Sequence, residues 1–125
     1  MVAVAQNYGL TIANIFHAGD GNMHPAILFD LRDPAQLEQT IAAGADILAY
    51  CVSVGGTITG EHGVGMEKNN LMPLLFSETD LAVMRDLREA FNRKSILNPQ
   101  KIFPTTRSCR ETGTAAIHPS LRKSS

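Results

Sequence analysis

The chain has 125 residues, 44% hydrophobic and 18% charged, with a net charge of -1. These are globular values that exclude wholesale disorder and argue against a nucleic-acid-binding protein. At this length one domain or part of one is expected, burying about two-thirds of its unfolded surface.

Taken in chain order, residues 1–9 read as the end of a helix stopped by Gly9, since glycine readily closes a helix C-terminus. Two strands are predicted over Thr11 to His17 and Met23 to Phe29, both rich in β-branched, aromatic and aliphatic residues. Asp20-Gly21 between them is a two-residue hairpin signal, because a type I′ turn needs positive φ at both positions. Pro34 opens a long helix whose stripe of Leu37, Ile41, Ala45, Leu48 and Val52 runs to Gly55-Gly56. Thr57 to Thr59 is a short β-prone piece, and residues 67–76 form a short helix interrupted near Pro73. Ser77 caps a further helix, with Asp80 three residues on as a weaker capping box. Its stripe of Leu81, Met84, Leu87 and Phe91 is expected to be core, and Asn98-Pro99 to mark its end. The fold class is α+β, an antiparallel sheet with packed helices. Both faces of the hairpin are largely apolar and need cover, so the chain reads as part of a larger domain.

Nine of the eleven Lys and Arg residues lie from Arg85 onward. Arg107, Arg110, Arg122 and Lys123 belong to a polar tail, residues 107–125, expected to be poorly ordered and solvated. Cys51, Cys109 in the tail and His118 carry no motif. Two cysteines make no disulfide framework, so a reducing, cytoplasmic compartment is expected. No apolar run approaches the ~18 residues of a membrane span.

Three of the four histidines fall in two glycine-rich patches, His17-Ala-Gly-Asp-Gly-Asn-Met-His24 and Gly60-Glu61-His62-Gly63-Val64-Gly65. Imidazole and carboxylate bind metals and move protons, and glycine lets backbone approach a ligand. If Asp20-Gly21 are the turn residues, His17 stands opposite His24, with β-carbons about 4.5–5.5 Å apart on one face. Glu61 would complete a His2Glu set for zinc, manganese, iron or cobalt with coordination positions left open. In an extended chain His62 points away from Glu61 and could act as a general base. The bland alternatives are a surface histidine pair, a good turn and a flexible glycine loop.

Together with Thr59-Gly-Glu-His-Gly-Val-Gly65 and Ile96-Leu-Asn-Pro-Gln-Lys-Ile102, the first patch resembles the C-terminal end of FAD-linked 2-hydroxy-acid oxidases and dehydrogenases. The closest resemblance is to the glycolate-oxidase branch, and it covers nearly all of residues 8–106. It implies a partial substrate or cap domain with metal ligands at His17, His24 and Glu61, a proton-accepting base at His62, and Asn98 near the flavin. The implied reaction takes a small 2-hydroxy acid to the 2-oxo acid with FAD as hydride acceptor. Electrons would leave for oxygen, a quinone or partner subunits, including an iron–sulfur subunit. Such partners would hold the protein peripherally at the inner face of the membrane.

The family's FAD-binding domain and the first part of its substrate domain are missing from these residues, so FAD would be bound mainly elsewhere. Ala26 stands where some relatives carry a polar substrate contact, and Gln100 replaces the glycine of the usual Asn-Pro-Gly-Lys motif. The competing readings are a stand-alone metal-dependent hydrolase and a non-catalytic remnant or interaction domain.

Overall fold

The structure is a computed structural model that describes residues 1–104. The tail expected over 107–125, with Cys109 and His118, lies outside the described residues. Among the described residues, 1–51 form one compact unit and 52–104 a second. The α+β reading holds: among the described residues, helices accompany a single two-stranded antiparallel sheet.

In the first unit, α1 (Val2–Asn7) ends as its glycine predicts. Gly9 takes φ +67°, its N–H donates to the Gln6 carbonyl at 3.0 Å, and the Leu10 N–H reaches the Ala5 carbonyl at 2.9 Å. This double closure is the Schellman arrangement, which sets an apolar residue beyond the helix against one in its last turn. Leu10 and Ala5 are accordingly buried in one cluster with Ala43, flanked by Tyr8, Ile12, Ile27 and Phe29.

Strands β1 (Thr11–His17) and β2 (Asn22–Leu28) follow, the second one residue earlier than predicted. Ile12 and Ile27 pack one sheet face onto that cluster, whereas Ile15 and Leu28 on the other face are exposed. The expected need for cover is thus met on one face only, among the described residues.

Helix α2 (Pro34–Ser53) starts where Asp33 Oδ1 accepts the Ala35 N–H at 3.0 Å, with Pro34 at a position that needs no donor. Its packed face differs from the predicted stripe. Ala43, Asp46 and Ile47 are buried, while Leu37 and Ile41 are exposed, Ile41 by 63%. The helix is apolar around much of its circumference, so periodicity cannot choose a face. The small Ala43 lets it approach the core closely, and that decides.

In the second unit, Thr57 to Thr59 forms no strand. A β-prone segment becomes strand only by pairing, and Ile58 is instead buried against Met72 and Leu81. Residues Asn69–Leu74 form a 3₁₀ turn containing Pro73, as the interrupted pattern implies. Helix α3 (Glu78–Phe91) has a complete capping box: the Ser77 side chain accepts the Asp80 N–H at 3.2 Å, and Asp80 Oδ2 accepts the Ser77 N–H at 2.9 Å. The Ser77 hydroxyl, which donates to Asp80 Oδ2 at 2.7 Å, and then the Ser77 N–H hold the Asp80 carboxyl below its ordinary range.

Two expectations for α3 are corrected. The helix stops at Phe91 rather than at Asn98-Pro99, because the Asn92 side chain takes over the following backbone: its Oδ1 accepts from the Ile96 and Leu97 N–H groups at 3.1 Å each. Leu81 is buried and Met84 packs beside it, but Leu87 and Phe91 are 62% and 81% exposed. Spacing placed all four on one stripe, yet only its first half meets a neighbour among the described residues.

The Tyr8 hydroxyl donates to the buried Asp46 carboxylate at 2.7 Å, tying the turn after α1 to α2. The hydrogen bond to Asp46, then burial, then the Asp46 charge push the Tyr8 phenol from 10.0 up to about 12. The folded chain therefore keeps a proton that the unfolded chain releases. The stabilisation is complete below pH 10.0 and disappears as pH rises to about 12. Tyr8→Phe leaves Asp46 short of a donor and is expected to cost about 1–3 kcal/mol at neutral pH. Urea midpoints of the two proteins should differ at pH 7 and converge across that alkaline window.

Candidate functional site

The hairpin loop has four residues, not two. The Asp20 and Gly21 N–H groups both donate to the His17 carbonyl, at 3.1 and 3.0 Å, and within the loop only Gly21 takes positive φ. A type I′ turn on Asp20-Gly21 would need both residues left-handed, so the hairpin closes one step wider. His17 consequently pairs with Asn22, and His24 with Ile15. The directly opposed histidine pair is corrected to a diagonal one.

The diagonal keeps both imidazoles on one sheet face. Diagonal β-carbons lie about 7–8 Å apart, within reach of side chains of this length. The rings meet edge to face, with centroids 5.3 Å apart and planes at 85°. His17 is exposed and His24 half-buried, so the pair is open to solute.

In the second unit, the Glu61-His62 patch is bent rather than extended. Thr59 Oγ1 accepts the Gly63 N–H at 2.9 Å, and Gly63 and Gly65 take φ of +81° and +58°. Only glycine enters that region without a β-carbon penalty. The bend overturns the expectation that Glu61 and His62 point apart. His62 Nε2 lies 3.7 Å from Glu61 Oε1, with both side chains exposed.

Asn98 lies in a tight loop where Ser95, Asn98, Gln100 and Ile102 all take positive φ. The loop is held from outside. The Arg88 guanidinium donates to the carbonyls of Leu97, Asn98 and Lys101, and Asn69 Nδ2 donates to that of Gln100 at 3.3 Å. The Ile102 N–H donates to the Gly65 carbonyl at 2.8 Å, which ties this loop to the end of the Glu61-His62 patch. Arg88 also lies over the Phe103 ring, 5.6 Å from its centroid. Arg88, Asn69 and Asn92 were not singled out from the sequence. The only signal for Arg88 was the run of basic residues beginning at Arg85, which looks the same whether it is solvated or bonded.

The stretch of sequence that carries the histidine hairpin, the Glu-His glycine patch and the Asn-Pro loop matches a known domain class. The chain belongs to the family described as FAD linked oxidases, C-terminal domain, whose model matches residues 1–102. It is 44% identical over 115 residues to glycolate oxidase subunit GlcD of Escherichia coli, covering 92% of this chain and 23% of that protein. To the subunit of the same name from Bacillus subtilis it is 39% identical over 100 residues, 80% of this chain and 21% of the relative. To the mitochondrial D-lactate dehydrogenase (cytochrome) of Kluyveromyces lactis it is 38% identical over 95 residues, 76% of this chain and 16% of the relative. The chain thus spans less than a quarter of the length of these relatives.

Gln100 occupies the position where the resemblance expects glycine, and its φ of +62° supplies the reason. A non-glycine residue there costs roughly 1–2 kcal/mol in backbone strain. Gln100→Gly should relieve it, offset in part by the entropy glycine adds to the unfolded chain. A net gain of up to about 1 kcal/mol is expected, read as a rise of a few degrees in Tm. An unchanged or lower Tm would show that the loop bears no such strain.

Proposed function

We propose that this chain is the C-terminal catalytic segment of an FAD- and metal-dependent oxidoreductase that oxidises a small 2-hydroxy acid to the 2-oxo acid. The observation that carries the reading is the apposed His17 and His24 rings in a member of the FAD-linked oxidase family. The relatives named as glycolate oxidase subunits and D-lactate dehydrogenases support the substrate class.

His17, His24 and Glu61 each offer one ligand atom, two imidazole nitrogens and a carboxylate oxygen. That donor chemistry fits zinc, manganese or iron, and three protein ligands leave positions for a substrate. A divalent ion held there would supply Lewis acidity to the substrate hydroxyl. FAD, bound mainly by residues outside this chain, would supply the two-electron acceptor for the hydride on the α-carbon, with Asn98 beside it.

Within the chain, His62 takes the hydroxyl proton. Its Nε2 lies 3.7 Å from Glu61 Oε1, which leaves Nδ1 as the nitrogen that receives the proton. The glycines at 63 and 65 keep β-carbons away from the backbone that a substrate would approach. The word subunit in the relatives' names supports assembly with partner subunits, and an iron–sulfur subunit among them is what the family resemblance implies. We place the protein in the cytoplasm, peripheral at the inner membrane face through those partners. No helix of the described residues is long and apolar enough to cross a membrane.

Two substitutions in the complete protein test the roles separately. Glu61→Ala should lower bound metal at least tenfold, measured by elemental analysis. Equal metal in the two proteins would remove Glu61 from the ligand set. His62→Gln should keep the metal and lower kcat about 10²–10⁴-fold, the usual contribution of a general base. A near-normal kcat would move the base elsewhere.

A further inference from the structure

We infer that Arg88 is a positioning residue that couples the Asn98 loop to the Glu61-His62 patch. The inference rests on the functional reading above only in taking Asn98 to lie beside the flavin.

Four residues between Ser95 and Ile102 hold left-handed φ without being glycine, a conformation that persists only where surrounding contacts over-determine it. Regular hydrogen bonding is lost in such a loop, and its carbonyls need donors. Arg88 supplies them. One fork atom bonds the Lys101 carbonyl at 2.8 Å, and the other bonds the Leu97 carbonyl at 3.1 Å and that of Asn98. Three carbonyls held by one planar cation fix the loop at both its start and its end. A lysine, with a single point charge, could not match that fork.

The far end of the clasped loop is the point of coupling. Ile102, the residue after Lys101, donates to the Gly65 carbonyl at 2.8 Å. Gly65 closes the patch whose bend is set by the Gly63 bond to Thr59. A covalent and hydrogen-bonded path therefore runs from Arg88 through Lys101 and Ile102 to the backbone that carries Glu61 and His62. Apart from the main-chain carbonyl of Asn98, Arg88 touches none of the residues assigned to chemistry, and its effect on Glu61 and His62 passes through the two loops.

Amide hydrogen exchange on the complete protein tests this, comparing wild type with Arg88→Ala and Arg88→Lys. In Arg88→Ala the amides of Ile102 and Gly63 should exchange at least tenfold faster, while that of Leu81, in the capped turn of α3, stays unchanged. Arg88→Lys should fall between, and it decides the question if the alanine variant does not fold. With FAD bound, Arg88→Ala should also shift the visible flavin absorption band.

Unchanged exchange at Ile102 and Gly63 would overturn the coupling. So would a parallel rise at Leu81, which marks general loosening, or wild-type behaviour in Arg88→Lys. If the wild-type protein takes up no FAD, the functional reading fails, while the exchange comparison still decides the role of Arg88.

Discussion

The His17 carbonyl accepts two amide protons, those of Asp20 and Gly21, and this shared acceptor sets the register of the whole hairpin. Because side chains alternate with a period of two along a strand, register decides which residues share a face. A loop of four residues keeps His17 and His24 on one face but moves them from opposite to diagonal. The wider separation is then spanned by the imidazoles themselves, whose rings still meet. The metal-binding reading depends on that parity. A slip of one residue would send one histidine to the face that packs on Leu10 and Ala43.

A comparable constraint organises the second unit. Irregular backbone has few partners of its own, and the loop after α3 is supplied with donors and acceptors by side chains of Arg88, Asn92 and Asn69. These bonds are to main-chain atoms, so they hold conformation without specifying what the loop's own side chains contact. The loop thus tolerates glutamine at position 100 despite its positive φ. In the bent Glu61-His62 patch, glycines at 63 and 65 supply the left-handed backbone, and the Ile102 N–H is an outside donor to the Gly65 carbonyl.

Much of the fold was legible in the sequence because local rules governed it. Gly9 ended α1, Asp33-Pro34 opened α2 and Ser77 with Asp80 capped α3, each through bonds within a few residues. The misreadings have a common physical origin in contacts distant along the chain. The packed face of α2 was chosen by Ala43 against Leu10 and Ala5, not by the Leu37-Ile41 stripe. Thr57 to Thr59 had strand composition but buried Ile58 in a cluster with no strand beside it. Leu87 and Phe91 had the spacing of core residues and remain exposed, since hydrophobic spacing records what a helix can bury, not what lies against it. The site divides in the same way: His17, His24, Glu61, His62 and Asn98 stood out by residue type and motif, while Arg88 did not.

By itself the sequence determined the helix boundaries set by caps, the existence of a hairpin, and the family signature carried by its three motifs. Those properties depend on residues within a few positions of one another. The tertiary structure alone decided the diagonal histidine pair, the approach of His62 to Glu61, and the Arg88 clasp on the Asn98 loop. Each turns on where backbone carbonyls and amides find partners once the chain has bent. Residue identity permits those pairings, and only three-dimensional closure selects among them.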